Sequence, residues 1–131
     1  MIHSTAELLK LVRSRKLVEN LDARELTNPE GAGFDLRIRA LYEVSGSGYL
    51  GLTERKTPRE KLIAKYSPEK LGKAIIKPGR YYLTKTLETV NTPDNVMIQF
   101  KPRRTLIQSG ILLLTAFCPP GYHGPLYFGM K

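Results

Sequence analysis

Apolar residues near the start of the chain recur with helical spacing. These positions are Leu8, Leu9, Leu11 and Val12. Side chains three and four residues apart lie on one face of a helix, so the pattern predicts a helix over residues 5–15. Ser4 or Thr5 can cap its first turn, where Glu7 complements the helix dipole. Residues 16–20 then have the character of a short extended piece.

Further along, apolar and polar residues alternate, as is typical of half-buried strands. This alternation predicts strands over residues 33–44 and, less regularly, 81–90. A short strand is predicted over 96–100, and the apolar run from Ile111 to Ala116 has the length of a buried strand. Several short strands after one opening helix indicate a mainly β sandwich or barrel.

Turn residues separate these segments. Residues 45–48, 77–80 and 93–95 are rich in Gly, Ser, Pro, Asp or Asn, and each predicts a turn. Residues 53–72 are the most charged part of the chain and contain two prolines that would break a long helix, so we expect an exposed insertion. A chain of 131 residues is expected to form one domain.

The excess of basic over acidic residues indicates which class of molecule the protein binds. The 21 Lys and Arg residues exceed the 12 Asp and Glu residues, which gives a formal charge of +9 and suits an anionic partner such as a nucleotide. The basic residues are scattered among apolar segments, and we find neither a zinc-finger spacing nor an aromatic RNA-binding motif. Nucleic-acid binding is therefore a minor alternative.

Cysteine content and hydropathy bear on the compartment. Cys118 is the only cysteine, which excludes a disulfide within the chain and a multi-cysteine metal site. The start of the sequence lacks the pattern of a signal peptide, and no run of about 18 apolar residues occurs. We therefore expect a cytoplasmic protein that does not enter a membrane.

The candidate chemistry concentrates near Arg103 and Arg104, which are followed by Thr105. A guanidinium group presents a planar fork of donors that fits two phosphate oxygens, and a hydroxyl adds a further donor. The three residues outline a phosphate-binding site. The alternative is a basic surface turn before an ordinary hairpin, whose turn the Pro119-Pro120-Gly121 sequence would form.

Four segments in order carry a family resemblance. They are GAGFDLRI (31–38), KPGRYYLTKTLETVNTPDNV (77–96), PRRTLIQSGILLLTA (102–116) and PPGYHGPLYFGM (119–130). Together they resemble the dCTP deaminase and dUTPase superfamily, nearest to its deaminase-like branch. The resemblance implies a mainly β fold, a distorted jelly-roll β barrel with a short N-terminal helix. It also implies a homotrimer with interfacial sites for a deoxyuridine or deoxycytidine triphosphate and Mg²⁺.

Two parts of the chain depart from this resemblance. Residues 53–74 have no counterpart in the superfamily that we can place. A later strand and the glycine-rich segment that closes over the phosphates in dUTPases are expected to be absent from the sequence, which runs to Lys131.

Asp35 lies in the segment that resembles the first family motif. The resemblance implies that this carboxylate lies near the metal-bound phosphates, as a catalytic candidate and as a ligand of Mg²⁺ through water. A single carboxylate suits Mg²⁺, which keeps most of its waters. The alternative role is to bond backbone amides at the start of a strand.

Pro102 to Leu106 resembles the second motif, in which an arginine and two serines bind phosphates. The resemblance implies substrate binding by Arg103, Arg104 and Thr105, although Arg104 replaces a serine. Gln108 stands where deaminases carry a second arginine, which argues against deaminase chemistry. It remains a substrate-binding and catalytic candidate.

Tyr122 lies in the turn that resembles the third motif, where the resemblance implies that its ring packs against the deoxyribose. The alternative is an exposed turn tyrosine, and His123 beside it is expected to be a bystander. Tyr127, Phe128 and Gly129 follow on the next strand, where the resemblance implies that strand backbone reads the base.

Gly129 and Pro119 decide between the activities of the superfamily. Deamination needs a carboxylate to move a proton beside the pyrimidine, and that glutamate would fall at Gly129. We therefore prefer hydrolysis of dUTP to dUMP and pyrophosphate over the alternative, deamination of dCTP. The dUTPase aspartate that positions the attacking water falls at Pro119, so a catalytically silent nucleotide-binding relative is a further alternative.

Overall fold

A computed structural model describes residues 1–131. The helices are α1 (Thr5–Arg15), α2 (Ala23–Thr27) and α3 (Arg104–Gln108). The strands are β1 (Val18–Glu19), β2 (Ile38–Ser45), β3 (Tyr49–Leu50), β4 (Arg55–Lys56), β5 (Arg59–Lys65), β6 (Tyr81–Asn91), β7 (Leu113–Leu114) and β8 (His123–Met130). Strand residues outnumber helical ones, which confirms the mainly β class and the short opening helix.

The strands form one large antiparallel sheet and one small one. The hydrogen-bonded order in the large sheet is β5-β2-β6-β8-β7, and β1 pairs with β6. Strands β3 and β4 pair only with each other. No pairing joins β5 to β7, so the large sheet is not closed into a barrel.

The residues fall into two compact units. Unit 1 comprises Met1–Arg37, Thr86–Phe100 and Ala116–Leu126. Unit 2 comprises Ile38–Lys85, Lys101–Thr115 and Tyr127–Lys131. The single-domain organisation stays a prediction.

Helix α1 in unit 1 has the predicted bounds and the predicted cap. The Ser4 hydroxyl accepts a bond from the backbone N–H of Glu7 at 3.3 Å, and the Glu7 carboxylate accepts one from the Ser4 N–H at 2.8 Å. These bonds complete a capping box. The bond from the Ser4 backbone, above all, holds the pKa of Glu7 below its usual value. Lys16, in a left-handed conformation, ends the helix.

The predicted strand over 33–44 is wrong in its first part, because β2 begins only at Ile38. The backbone N–H groups of Asp35 and Arg37 donate to side-chain carboxylates rather than to a neighbouring strand. The simple alternation also fails, since Ala40 and Leu41 are both buried beside a register shift after Leu41. Such a bulge lets two adjacent side chains share the core face.

Strand β6 confirms the alternating pattern over 81–90 and is one residue longer. Every second residue is buried: Tyr82, Thr84, Thr86, Glu88 and Val90. Three of these five are polar, and they are buried with partners. In unit 2 the Thr84 hydroxyl donates to the Phe128 carbonyl at 3.3 Å, and in unit 1 the Thr86 hydroxyl donates to the Glu88 carbonyl at 2.8 Å.

The charged segment 53–72 is largely exposed and contains no helix, as predicted. It does contain a strand that the pattern missed, because β5 pairs with β2 in unit 2 from Ala40 opposite Lys65 to Ser45 opposite Arg59. A strand at a sheet edge can keep charged side chains in water, so its composition resembles that of a loop.

Two strands are shorter in the structure than the sequence predicted. In unit 1, the segment 96–100 makes only a single bridge, between Ile98 and Cys118. In unit 2, β7 covers only Leu113–Leu114, and Leu112 and Leu114 are 64% and 51% exposed, so a fully buried strand over 111–116 is wrong. Only alternate side chains of this edge strand reach the core that contains Leu41, Tyr82 and Met130.

Candidate functional site

Two buried glutamates hold the segment that carries Asp35 in unit 1. Glu88 is completely buried, and its carboxylate accepts from the backbone N–H of Arg37 at 2.8 Å and from the Arg37 Nε at 2.7 Å. The Leu87 N–H donates to the Arg37 carbonyl at 2.8 Å. The backbone and the side chain of Arg37 are therefore fixed together.

Glu25 on α2 is the second of these glutamates. It is 4% exposed, and its Oε2 accepts from the Asp35 N–H at 3.1 Å. Asp22 caps α2 by accepting from the Arg24 N–H, and its other oxygen lies 3.2 Å from the Arg37 guanidinium. Asp35 itself is half-buried on this fixed segment, and its predicted role beside the phosphates stays a prediction.

The predicted phosphate-binding residues share one short helical segment in unit 2. Arg103 precedes α3, and Arg104, Thr105 and Gln108 lie on it with exposed side chains. Arg104 and Gln108 are four residues apart and so lie on the same face of the turn. Gly110, with a φ of 70°, ends the segment. The sequence pattern did not predict this helix.

The turn around Tyr122 is anchored to the segment that follows β6 in unit 1. Thr92 donates its N–H to the Tyr122 carbonyl at 2.8 Å and accepts from the Gly121 N–H at 3.0 Å. The Tyr122 hydroxyl donates to the Pro125 carbonyl at 2.6 Å. The ring lies over Gly124, where an added β-carbon would stand 3.2 Å from the hydroxyl oxygen. Tyr122 is thus half-buried rather than an exposed turn residue.

A cleft of about 450 Å³ lies beside this turn in unit 1. Its polar lining includes Arg15, Asp94 and His123. The Nδ1 of His123 lies 3.2 Å from the Asn91 amide oxygen, so this histidine has a partner in the protein. The sequence pattern indicates Asp94 only as a turn residue. In the structure its Oδ1 lies so close to Gly121 that a β-carbon added at Gly121 would stand 3.1 Å from it, a contact that no local pattern predicts.

Gly129 on β8 faces the ring of Tyr81 on β6 in unit 2. A β-carbon added at Gly129 would overlap the Tyr81 hydroxyl oxygen and stand 3.0 Å from the Cζ carbon. Real β-carbons do not approach other atoms so closely, so no side chain fits at this position unless Tyr81 moves. The sequence indicated the missing carboxylate at Gly129 but not the phenol that fills its space.

Tyr127 lies on the same strand and is 53% exposed. The Lys85 ammonium group lies 5.5 Å from the centre of its ring, within the range of a cation–π contact. Phe128 is half-buried, and its carbonyl oxygen accepts the bond from Thr84. The roles predicted for these residues in reading the base stay predictions.

The carboxylates of the chain do not form a metal cage. No group of three or more His, Cys, Asp and Glu residues could hold a metal ion. Glu25 and Glu88 accept from backbone and guanidinium donors, and the role of Asp35 beside a metal stays a prediction. One carboxylate is compatible with Mg²⁺ that is held mainly by substrate phosphates and water.

None of the helices has both the length and the hydropathy that a membrane-spanning helix needs.

The chain matches known proteins over almost its whole length. A family model described as dCTP deaminase-like matches residues 2–131. The dCTP deaminase of Pyrococcus horikoshii is 36% identical over 115 residues, which are 88% of this chain and 61% of that protein. The deoxyuridine 5′-triphosphate nucleotidohydrolase of Methanocaldococcus jannaschii is 26% identical over 85% of this chain and 69% of its own length.

A solved structure shows the same fold. The crystal structure of the 2′-deoxycytidine 5′-triphosphate deaminase from Agrobacterium tumefaciens matches with a TM-score of 0.63 and 18% identity, over 99% of this chain and 41% of that one. The chain therefore spans less than two thirds of the length of the two deaminases compared.

Proposed function

The chain belongs to the dCTP deaminase-like family, and we propose that within it the protein is a cytoplasmic dUTP diphosphatase. It would hydrolyse dUTP to dUMP and pyrophosphate. Some relatives are named dCTP deaminases and others dUTP hydrolases, so family membership supports an enzyme of deoxynucleotide metabolism. The choice between the two reactions depends on the residues of this chain.

The contact between Tyr81 and Gly129 is the observation that carries the choice of reaction. Deamination needs a group that moves a proton between water and the departing amine. Glycine offers none, and the Tyr81 ring fills the space that a glutamate side chain at this position would need. Hydrolysis of a phosphoanhydride needs no such group beside the base, so this packing favours dUTP as the substrate that is turned over.

The remaining candidates have roles suited to phosphoryl chemistry. Arg103 and Arg104 would bind phosphate oxygens through their guanidinium forks, and the Thr105 hydroxyl would add a donor. These donors would stabilise the charge that develops as a water attacks phosphorus in line with the leaving pyrophosphate. Mg²⁺ held by the triphosphate and by Asp35 through water would supply further neutralising charge.

Gln108 is the residue that we propose orients the attacking water. Pro119 can neither accept a proton nor bind a water through its side chain. A glutamine amide both donates and accepts, so it can hold a water in line with phosphorus without removing its proton. Gln108 is exposed and lies four residues beyond Arg104, on the face of α3 that would meet the phosphates.

Membership of the family also underlies a proposal about assembly. We propose that three copies form a homotrimer with nucleotide sites at the subunit interfaces. Sedimentation equilibrium of the purified chain should return three times the monomer mass of 14.8 kDa. A monomer mass at all concentrations would contradict the trimer.

The phosphate-binding step is tested with matched arginine variants. Arg103→Ala should slow pyrophosphate release from dUTP at least about tenfold, since it removes a charge-assisted contact to phosphate. Arg13→Ala removes the same charge from an exposed position on α1 and should leave the rate unchanged. Equal rates for the two variants would contradict the assigned phosphate site.

Deamination of dCTP is the second candidate function. It is favoured by the Pyrococcus relative, which is named a dCTP deaminase and is 36% identical to this chain. Ammonia released from dCTP would establish it and would require a proton-transfer group other than residue 129.

A further inference from the structure

We propose that Tyr81 is a substrate-binding residue whose hydroxyl donates a hydrogen bond to the 4-oxygen of the uracil base. This inference rests on the proposed function, because it needs a uracil nucleotide at β8. It assigns a role to a residue that neither the motifs nor the family resemblance singled out.

The hydroxyl of Tyr81 is available for a ligand. The side chain is half-buried, and its oxygen makes no hydrogen bond within the chain. By contrast, the neighbouring Tyr82 is 1% exposed, and its hydroxyl accepts from the Lys77 N–H at 3.0 Å. A partly buried hydroxyl without a protein partner gains most from a bond to a bound molecule.

The position of Tyr81 is set by the two neighbouring strands β6 and β8. Side chains alternate along β6, so Tyr81 and Lys85 lie on the face opposite Tyr82. On that face the Tyr81 ring covers Gly129, and Lys85 reaches the ring of Tyr127. The face thus offers a phenol, an ammonium group and an exposed aromatic ring within a few residues of one another along two paired strands.

This combination suits a pyrimidine nucleotide. The exposed Tyr127 ring offers a surface against which a flat base can stack, and such stacking contributes about 1–3 kcal/mol per base in nucleic-acid-binding proteins. The absence of a side chain at Gly129 lets the phenol lie close to the strand backbone that would read the base.

The 4-oxygen is the acceptor that the hydroxyl can reach most directly. The 2-oxygen of uracil flanks the bond to the sugar, which shields it. The 4-oxygen lies on the far edge of the ring, and a phenol that projects from a strand can approach it. A tyrosine hydroxyl is a donor as well as an acceptor, so it can pair with a carbonyl oxygen.

The test weakens or removes the hydrogen bond from each side in turn. Calorimetry would measure binding of two non-hydrolysable α,β-imido triphosphates in Mg²⁺, one carrying deoxyuridine and the other 4-thiodeoxyuridine, which keeps the N3–H but replaces the 4-oxygen by sulfur, a weaker acceptor. The wild-type chain should bind the uracil compound about 3- to 10-fold more tightly, the range expected for one neutral hydrogen bond. Tyr81→Phe should bind both compounds with the weaker affinity.

Tyr66→Phe is the matched control. Tyr66 is 48% exposed in the same unit, and its variant should keep the wild-type preference. Phenylalanine fills the space of tyrosine, so loss of the preference in Tyr81→Phe alone would report the missing hydroxyl rather than a changed fold.

The outcomes separate this inference from the function on which it rests. If the wild type hydrolyses dUTP but Tyr81→Phe keeps the full preference for the uracil compound, the role of Tyr81 is wrong and the function stands. If the wild type binds neither compound, both are wrong. If the wild type binds the two compounds equally, no protein group reads the 4-oxygen and the inference is again overturned.

Discussion

Replacing Glu88 by alanine should destabilise the protein far more than replacing a partly exposed glutamate. Glu88 is completely buried and accepts two bonds from Arg37, at 2.8 Å and 2.7 Å. The variant removes both acceptors and leaves the backbone N–H and the guanidinium group without this partner. The segment that carries Asp35 would lose one of its two carboxylate anchors.

The magnitude follows from how far Arg37 depends on this partner. Breaking a buried ion pair from one side costs about 3–5 kcal/mol. The Arg37 side chain is 36% exposed and also lies 3.2 Å from Asp22, so part of its charge stays solvated and paired. We therefore expect the lower end of the range, about 3 kcal/mol, which corresponds to a fall in Tm of roughly 10 °C for a chain of this size.

Glu43→Ala is the control for this experiment. Glu43 pairs with Arg80 at 3.6 Å, and the two side chains are 28% and 61% exposed. Partly solvated pairs of this kind contribute about 0–1 kcal/mol. Urea unfolding followed by far-ultraviolet circular dichroism suits both variants, because the chain has no Trp.

Equal urea midpoints for Glu88→Ala and Glu43→Ala, with unchanged m-values, would refute the claim that Glu88 anchors the segment that carries Asp35. A double-mutant cycle with Arg37→Ala gives a second reading. Because the two residues contact each other directly, their coupling energy should exceed about 1 kcal/mol. Additive effects would show that Glu88 acts through packing alone.

Three further predictions concern catalysis and the opening helix. Asp35→Asn should slow pyrophosphate release from dUTP at least about tenfold and weaken its dependence on Mg²⁺, and a wild-type rate would contradict the role of this carboxylate. EDTA in excess over the metal should stop release, and restored Mg²⁺ should recover it; a rate insensitive to EDTA would exclude the metal. Glu7→Gln should lower stability at pH 7 but not at low pH. The pKa of Glu7 is lower in the folded than in the unfolded protein, so its carboxylate stabilises the fold above the ordinary pKa of 4.5. This stabilisation disappears as the pH falls through the folded pKa. A difference in stability between Glu7→Gln and the wild type that persists at low pH would contradict this reasoning.

The elements that sequence reasoning predicted well are those with local causes. Helix α1 has the predicted bounds because Ser4 and Glu7, only three residues apart, form its cap. Strand β6 was predicted because its alternation continues over eleven residues. In both cases the information lies within a single turn or a single strand.

The elements that were missed depend on distant partners. Glu88 has the appearance of an outward-facing polar residue in an alternating strand, and it is buried only because Arg37, 51 residues away in the chain, supplies its donors. The run from Ile111 was expected to be buried, but its strand lies at an edge of the sheet, where half of its side chains stay exposed. Burial of this kind follows from strand order, which periodicity does not encode.

The candidate site also contains residues that the sequence predicted and a contact that only the fold reveals. The residue types at Arg103, Thr105 and Tyr122, together with the family resemblance, are enough to suggest phosphate and sugar contacts. The contact of Tyr81 with Gly129 joins positions 48 residues apart, and no spacing rule predicts it. The family resemblance predicted that position 129 would matter, and the fold adds the phenol that occupies it.

The most direct test of the proposed function is to identify the products formed from dUTP and, separately, from dCTP. Purified protein would be incubated with each nucleotide in Mg²⁺, and the products would be resolved by anion-exchange chromatography. We predict dUMP and pyrophosphate from dUTP and no change in dCTP. Formation of dUTP or dUMP from dCTP would contradict the argument from Gly129, and no product from either nucleotide would contradict the enzymatic function and favour a nucleotide-binding protein.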